Sequence, residues 1–183
     1  MPEEQSSAET TQPLRDQDQS ERAMKGKCLN SVYLNVYNLT NANRVLQKLG
    51  IGAFHTAIEV FDSEFAFGGH AYSITGIFST KPKCPPGLVT FNRSIYLGRT
   101  ELSKLNVLEM VSALGKSWLG NSYHLLDRNC NHFSQILAFI LTGRNTPDWI
   151  NRITKLGSAF RWAIPNRLLS HPQTPSVDDA TRI

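Results

Sequence analysis

A mixed α and β fold around one core is what this sequence predicts, and three observations carry that reading. The chain has 183 residues, a one-domain length able to bury most of the surface its unfolded form exposes. It is 40% hydrophobic and 19% charged, the balance of an ordinary globular protein. Short β-branched and aromatic runs alternate with runs of helical periodicity. The folded part is expected at residues 28–167. Residues 1–27 carry six acids, four bases and almost no large apolar side chain, too little burial to offset their ordering entropy. They are expected as a disordered tail, and the polar residues 168–183 as another.

The elements follow in order. "VYLNVYNL" (32–39) alternates partially and reads as a strand, while "NANRVLQKLG" (41–50) offers an Asn cap, apolar Val45, Leu46 and Leu49, and a closing Gly50, hence a helix. "FHTAIEVF" (54–61) and "EFAFGG" (64–69), parted by Asp62-Ser63, predict a hairpin that returns the chain antiparallel. From His70 to Leu88 the punctuation "GG", "KPK" and "CPPG" predicts a long loop, followed by a strand around "SIYLG" (94–98). "KLNVLEMVSALGKSWLG" spaces Leu105, Leu108, Val111, Ser112 and Leu119 as an amphipathic helix ending on Gly120. A short strand "YHLL" (123–126) leads through "DRN" into a second long helix from about Cys130 to Leu141, stopped by Gly143, with Phe133, Ile136, Leu137 and Ile140 as its core anchors. "TPDWINRITKLGSAF" (146–160) supplies a last helix, with Pro147 in its first turn.

Residues 28–170 hold fourteen Lys and Arg against seven Asp and Glu, a balance that suits an acidic partner or an anionic surface. The bases are scattered singly, with no run and no aromatic interleaving, so nucleic acid is not an expected partner. The start lacks a basic stretch followed by an apolar one, and the longest apolar run, "ILAFIL" (136–141), is far short of the ~20 residues of a membrane span. Neither a signal peptide nor integration into a membrane is expected. Cys28, Cys84 and Cys130 are odd in number and widely spaced, which fits reduced thiols in the cytoplasm or nucleus.

Cys130 falls in the first turn of a predicted helix, with Asn129 as its cap. Unpaired first-turn amides and the helix macrodipole favour negative charge there, so a thiol at that position has a larger thiolate fraction. In an acyl-transfer reaction the oxyanion would form beside the sulfur, within reach of the Cys130 backbone N–H. A partner base is needed, and the candidates are His55, His70, His124 and His132. His132 lies two residues along the same helix, where side chains do not face each other. His124, on a short strand, stays open, and His70 belongs to a glycine-rich loop. His55 is the best candidate, because its apolar neighbours would hold an imidazole on a largely buried strand. No metal site is expected, since "CNH" is too tightly spaced for a usual zinc pair.

"GIGAFHTAIEVFDSEFAFGG" (50–69) and "YHLLDRNCNHFSQILAFILTGRNTPDWINRI" (123–153) resemble the two signature blocks of the PPPDE superfamily, the deSUMOylating isopeptidase (DeSI) family of papain-like cysteine peptidases. The resemblance spans residues 31–160. It implies a circularly permuted papain-like α+β fold, a small antiparallel sheet packed with helices, in which the histidine precedes the cysteine. It further implies that His55 and Cys130 form the catalytic pair, with no cofactor. Papain's third triad member has no obvious counterpart, so the partner that orients His55 stays open. Glu59 and Glu64 lie within the first block and are expected in surface or structural roles. Asn129 and Asn131 could polarise an oxyanion, with capping and local hydrogen bonding as the plainer roles.

The implied reaction is removal of ubiquitin or a ubiquitin-like modifier, SUMO included, from lysine side chains through a thioester acyl-enzyme, so the implied partners are ubiquitin- or SUMO-conjugated proteins. Three other readings stand beside it. Protein S-depalmitoylation would use the same dyad, and the segment "YNLTNANRVLQKLG" looks closer to the ubiquitin-linked branch than to the SUMO-linked one. An acyltransferase or phospholipase like the lecithin retinol acyltransferase group would carry a glutamate where Asn131 stands. A non-catalytic module that binds ubiquitin-like proteins is opposed by the presence of both His55 and Cys130. Oligomeric state is not readable from the sequence.

Overall fold

Alternation of side chains along three central strands decides where everything else sits. The computed structural model describes residues 30–40, 43, 52–85, 89–152 and 181–182. Its sheet contains β1 (Ser31–Asn38), β2 (Phe54–Val60), β3 (Ser63–Phe67), β4 (Ile77–Thr80) and β5 (Thr90–Arg99), together with a two-residue strand β6 (Thr181–Arg182). The spatial order is β5-β1-β2-β3-β4-β6, and every neighbouring pair is antiparallel. Two helices, α1 (Lys104–Gly115) and α2 (Cys130–Thr142), complete an α+β architecture. Among the described residues no helix is long and apolar enough to cross a membrane.

On one face of the sheet Val32, Leu34, Val36, Ile58, Val60, Phe65 and Phe67 join Phe133, Leu137, Ala138 and Leu141 of α2 in the main core. The other face is smaller and more polar, with Tyr37, Ala57, Ala66 and Phe78 packed together. Buried Asn35, Glu59 and Glu64 alternate with the main-core residues along the same strands, as the two-residue period of a strand requires.

Several expectations shift. The hairpin turn between β2 and β3 is Phe61-Asp62, one residue earlier than expected, with both residues at positive φ (50° and 57°) as a two-residue turn of the I′ type demands. The expected long loop at 70–88 contains β4, whose "IFST" pairs with β3 from Phe67↔Ile77 to Glu64↔Thr80. Helix α1 ends at Gly115, five residues before the expected Gly120, because its buried stripe is Val107, Val111 and Gly115. Leu105 is 71% exposed. Trp118 leaves the helix axis to pack edge-on against Phe67 at 4.8 Å and Phe133 at 5.4 Å.

The strand expected at 123–126 is absent. A single 3₁₀ turn (Gly120–Ser122) precedes Tyr123, and an isolated bridge pairs His124 with Arg128, so the segment closes on itself instead of joining the sheet. Helix α2 begins at Cys130 as expected and ends against Gly143, whose φ of 68° suits glycine and lets its N–H reach the Phe139 carbonyl. Phe133 and Leu137 are fully buried core anchors, whereas Ile136 and Ile140 are 41% and 42% exposed on the helix's outer side. Of the helix expected at 146–160, the described part is a 3₁₀ turn (Asp148–Asn151) after Pro147. The helix expected at 41–50, apart from Asn43, and both tails, apart from Thr181–Arg182, lie outside the described residues.

Candidate active site

The N-terminus of α2 is built by Asn129. Its side-chain oxygen accepts from the backbone N–H groups of Asn131 (2.9 Å) and His132 (3.1 Å), and its own N–H donates to His132 Nδ1, forming a capping box. Its amide nitrogen donates to the Leu125 carbonyl at 2.7 Å, which fixes the preceding turn. Cys130 is thereby held as the first helical residue, and it is buried.

Asn131 ties this helix end to β2. Its amide donates to the Phe54 carbonyl (3.2 Å), and its oxygen accepts from the Thr56 hydroxyl (2.9 Å). Those two anchors flank His55, so the tie brings the imidazole and the thiol together across 75 residues of chain. The Cys130 sulfur is hydrogen-bonded to the His55 side chain, accepts from the Thr56 backbone N–H, and accepts from the Tyr123 hydroxyl. Burial pushes this thiol up, but the charge of His55 and these hydrogen bonds outweigh it and hold Cys130 below the ordinary thiol value. Burial likewise pushes His55 down, and the Cys130 charge and hydrogen bond, aided by the charge of Glu64, carry it above the ordinary imidazole value. Opposite shifts in two touching groups favour a thiolate facing an imidazolium.

The other histidines are committed elsewhere. His132 serves the cap, and burial lowers its pKa. His124 pairs with Asp127 at 2.9 Å on the surface. His70 pins its loop, with Nε2 3.0 Å from the Thr75 carbonyl and its ring against Gly120, where an added Cβ would lie 2.3 Å from the ring. Asn129 and Asn131 take the plainer of their expected roles, since both amide groups are spent on backbone carbonyls. Among the described residues no three His, Cys, Asp or Glu side chains are grouped as metal ligands.

A model of the family described as "PPPDE putative peptidase domain" matches residues 30–167. The chain belongs to the PPPDE family. It is 37% identical over 163 residues to a DeSI-like protein of Arabidopsis thaliana, covering 89% of this chain and 70% of that protein. It is 42% identical over 132 residues to a desumoylating isopeptidase 1 homolog of Caenorhabditis elegans, covering 70% of this chain and 40% of that protein. A DeSI-like protein of Schizosaccharomyces pombe is 40% identical over 156 residues, 82% of this chain and 77% of that protein.

Two features of this PPPDE domain escaped the sequence reading. Tyr123 was placed in a strand, yet its hydroxyl touches the Cys130 sulfur. The second feature is the acid pair. Glu59 and Glu64 are not on the surface: they stand opposite each other in the β2–β3 register and each is 2% exposed. The Asn35 amide donates to Oε2 of both, Tyr37 donates to Glu64 Oε1 at 2.6 Å, and the Lys83 backbone N–H donates to Glu64 Oε2 at 3.0 Å. Tyr37 is the cross-strand neighbour of His55, with ring centroids 6.0 Å apart. Burial, then the Glu64 hydrogen bond, raises the Tyr37 phenol far above its ordinary value and keeps it a donor. The alternation of Asn35, Tyr37, Glu59 and Glu64 with apolar residues along β1, β2 and β3 is the sequence signal for this second face.

Proposed function

We propose that this chain is a cysteine isopeptidase that removes a ubiquitin-like modifier, SUMO or ubiquitin, from lysine side chains, with Cys130 as nucleophile and His55 as its base and acid. The observation that carries the reading is the His55–Cys130 contact at the capped start of α2, with the thiol lowered and the imidazole raised. The order of the pair along the chain, and a cysteine opening a helix opposite a histidine on a strand, support a circularly permuted papain-like arrangement. The names of the relatives support SUMO as a modifier to try first.

In this mechanism a sulfur lone pair attacks the modifier's C-terminal glycine carbonyl, and the carbonyl π pair moves to oxygen. Collapse of the tetrahedral intermediate breaks the C–N bond, and the lysine amine leaves with the proton supplied by the His55 imidazolium. Water then gives a proton to His55 and attacks the thioester, and the thiolate departs. A reducing compartment, cytoplasm or nucleus, keeps such a thiol available.

The test is a side-by-side panel of SUMO and ubiquitin C-terminal electrophilic probes, aminocoumarin amides of both, and an acyl-thioester. Labelling on Cys130, with amide cleavage that falls by roughly 10⁴-fold or more in Cys130→Ser, is the expected result. Thioester turnover without labelling by either probe would move the assignment to depalmitoylation. Cleavage that survives both Cys130→Ser and His55→Ala would remove the dyad.

A further inference from the structure

We propose that Thr56 and Asn131 are the positioning residues of the dyad: they clasp β2 to the start of α2 on both sides of His55, and so do through the main chain what a third triad member does through the imidazole ring. That role rests on the reading of His55 and Cys130 as the reacting pair and adds to it the residues that set their separation.

The clasp has two bonds, one to each chain neighbour of His55. The Asn131 amide nitrogen donates to the Phe54 carbonyl at 3.2 Å, and the Thr56 hydroxyl donates to the Asn131 side-chain oxygen at 2.9 Å. Phe54, Thr56 and Asn131 are all buried, so water does not compete for either bond. On the helix side Asn131 directly follows Cys130, and its own backbone N–H is held by the Asn129 side-chain oxygen at 2.9 Å. Strand and helix are thereby fixed to each other at the residues that adjoin the two reacting groups.

Alternation along β2 keeps the clasp clear of the chemistry. Phe54 and Ile58 belong to the main core and Ala57 to the second face, so Thr56 points toward α2 while His55 shares a face with its cross-strand neighbour Tyr37. The imidazole meets the Cys130 sulfur and lies 6.0 Å from the Tyr37 ring centroid. Neither contact fixes the strand against the helix, and that task falls to Thr56 and Asn131.

The group at position 131 must also be neutral. Its oxygen lies 3.6 Å from the Cys130 sulfur, near enough to accept the S–H of an uncharged thiol. A carboxylate there would set a like charge beside the thiolate and would lose the donor to the Phe54 carbonyl. A carboxamide supplies one donor, one acceptor and no charge, which is the set this clasp requires.

Thr56→Val removes one buried hydroxyl and keeps the shape of the side chain. It leaves in place the titratable groups that face the pair, namely His55 and Cys130 for each other, Tyr123 and Glu64. A loosened pair should let the thiol rise and the imidazole fall toward their ordinary values. The acid limb of Cys130 alkylation by iodoacetamide should therefore move to higher pH, and the alkaline limb of hydrolysis of whichever modifier–aminocoumarin the wild type cleaves should move to lower pH. On that substrate kcat should fall by about 10²-fold with KM within about threefold, the cost of a misplacement of about 1 Å. Thr56→Ser, which keeps the hydroxyl and gives up the methyl, should restore both limbs. A hydroxyl that served stability alone would lower the melting temperature and leave both limbs in place; that result, or a Thr56→Ser that behaves as Thr56→Val does, overturns the proposal. If Thr56→Val does not fold, Thr56→Ala sets no methyl against the Asn131 oxygen and carries the same expectations. Alkylation needs no modifier, so its limb tests the clasp even in a protein that cleaves neither amide. An alkylation limb that His55→Ala does not move counts against the dyad itself, whereas one that His55→Ala moves and Thr56→Val does not counts against the clasp alone.

Discussion

The two faces of the central sheet use the same strands for opposite ends. On one, Val32, Leu34, Val36, Ile58, Val60, Phe65 and Phe67 meet α2 in a core without charge. On the other, the alternate residues of the same strands include Asn35, Tyr37, His55, Glu59 and Glu64, so this face carries the imidazole and two buried acids. The first face supplies stability by removing apolar area from water. The second buries charge, which is costly unless it is hydrogen-bonded, and here Asn35, Tyr37 and the Lys83 N–H satisfy Glu64. A buried acid that serves only packing would be replaced at little loss by an apolar residue, whereas one that supports a neighbouring cation has an electrical effect at a distance. Helix α2 joins the two faces, since its body belongs to the first and its N-terminal cysteine meets the histidine of the second.

The comparison breaks most readily on the apolar side. Phe133→Ala removes a fully buried ring that touches Phe67 and Trp118 at the centre of the main core. It should cost about 3–5 kcal/mol by urea unfolding. A loss below about 1 kcal/mol would show that α2 is not held by that face.

On the polar side, Glu64→Gln keeps the shape and removes the charge. It leaves an extra donor facing the Asn35 amide and the Lys83 N–H, and should cost about 1–3 kcal/mol. Its distinctive effect is on pH dependence. The coupled pair gives a bell, whose acid limb follows the lowered Cys130 and whose alkaline limb follows the raised His55. The raised His55 contributes stability that is complete below its unfolded value and is lost as pH rises through its folded value. The lowered Cys130 contributes stability present above its unfolded value and lost as pH falls through its folded one. Glu64 is one cause of the His55 rise and not of the Cys130 fall. Glu64→Gln should therefore move the alkaline limb of the activity profile to lower pH and leave the acid limb in place. Movement of both limbs together would mean that the substitution disturbs the site's geometry instead of its field.

Legibility from sequence divided along the same line. The apolar periodicities of β1, β2, β3 and α2 were readable because each is long and its buried face is dominated by large side chains. β4 was hidden because "IFST" is short and lies among glycine and proline punctuation, and only pairing with β3 makes it a strand. Ile136 and Ile140 satisfy helical spacing as well as Leu137 does, and periodicity alone could not tell which side of an apolar run meets the sheet. The positions of Cys130 and His55 were legible through motif and cap. What joins them was not, because Asn131 bridges to Phe54 and Thr56 across the chain, and Tyr123 reaches the sulfur through a turn whose strand-like composition misleads. Glu59 and Glu64 were ambiguous because burial of an acid depends on donors that come from other strands.

The smallest expected effect lies where the two faces meet, at the cap. Asn129→Asp preserves a side-chain oxygen for the Asn131 and His132 amides but gives up the amide bond to the Leu125 carbonyl, so it should cost about 1 kcal/mol. It also places a carboxylate next to Cys130 and beside the amides that favour the thiolate. A like charge disfavours thiolate formation, so the acid limb of Cys130 alkylation by iodoacetamide should move to higher pH while the melting temperature falls only slightly. The loss of the Asn129 amide bond to Leu125 would act in a different way, loosening the turn and lowering stability without moving the limb. An unchanged limb with a lowered melting temperature would reduce the cap to a structural part, and a moved limb would make the helix start an electrical part of the site that the polar face completes.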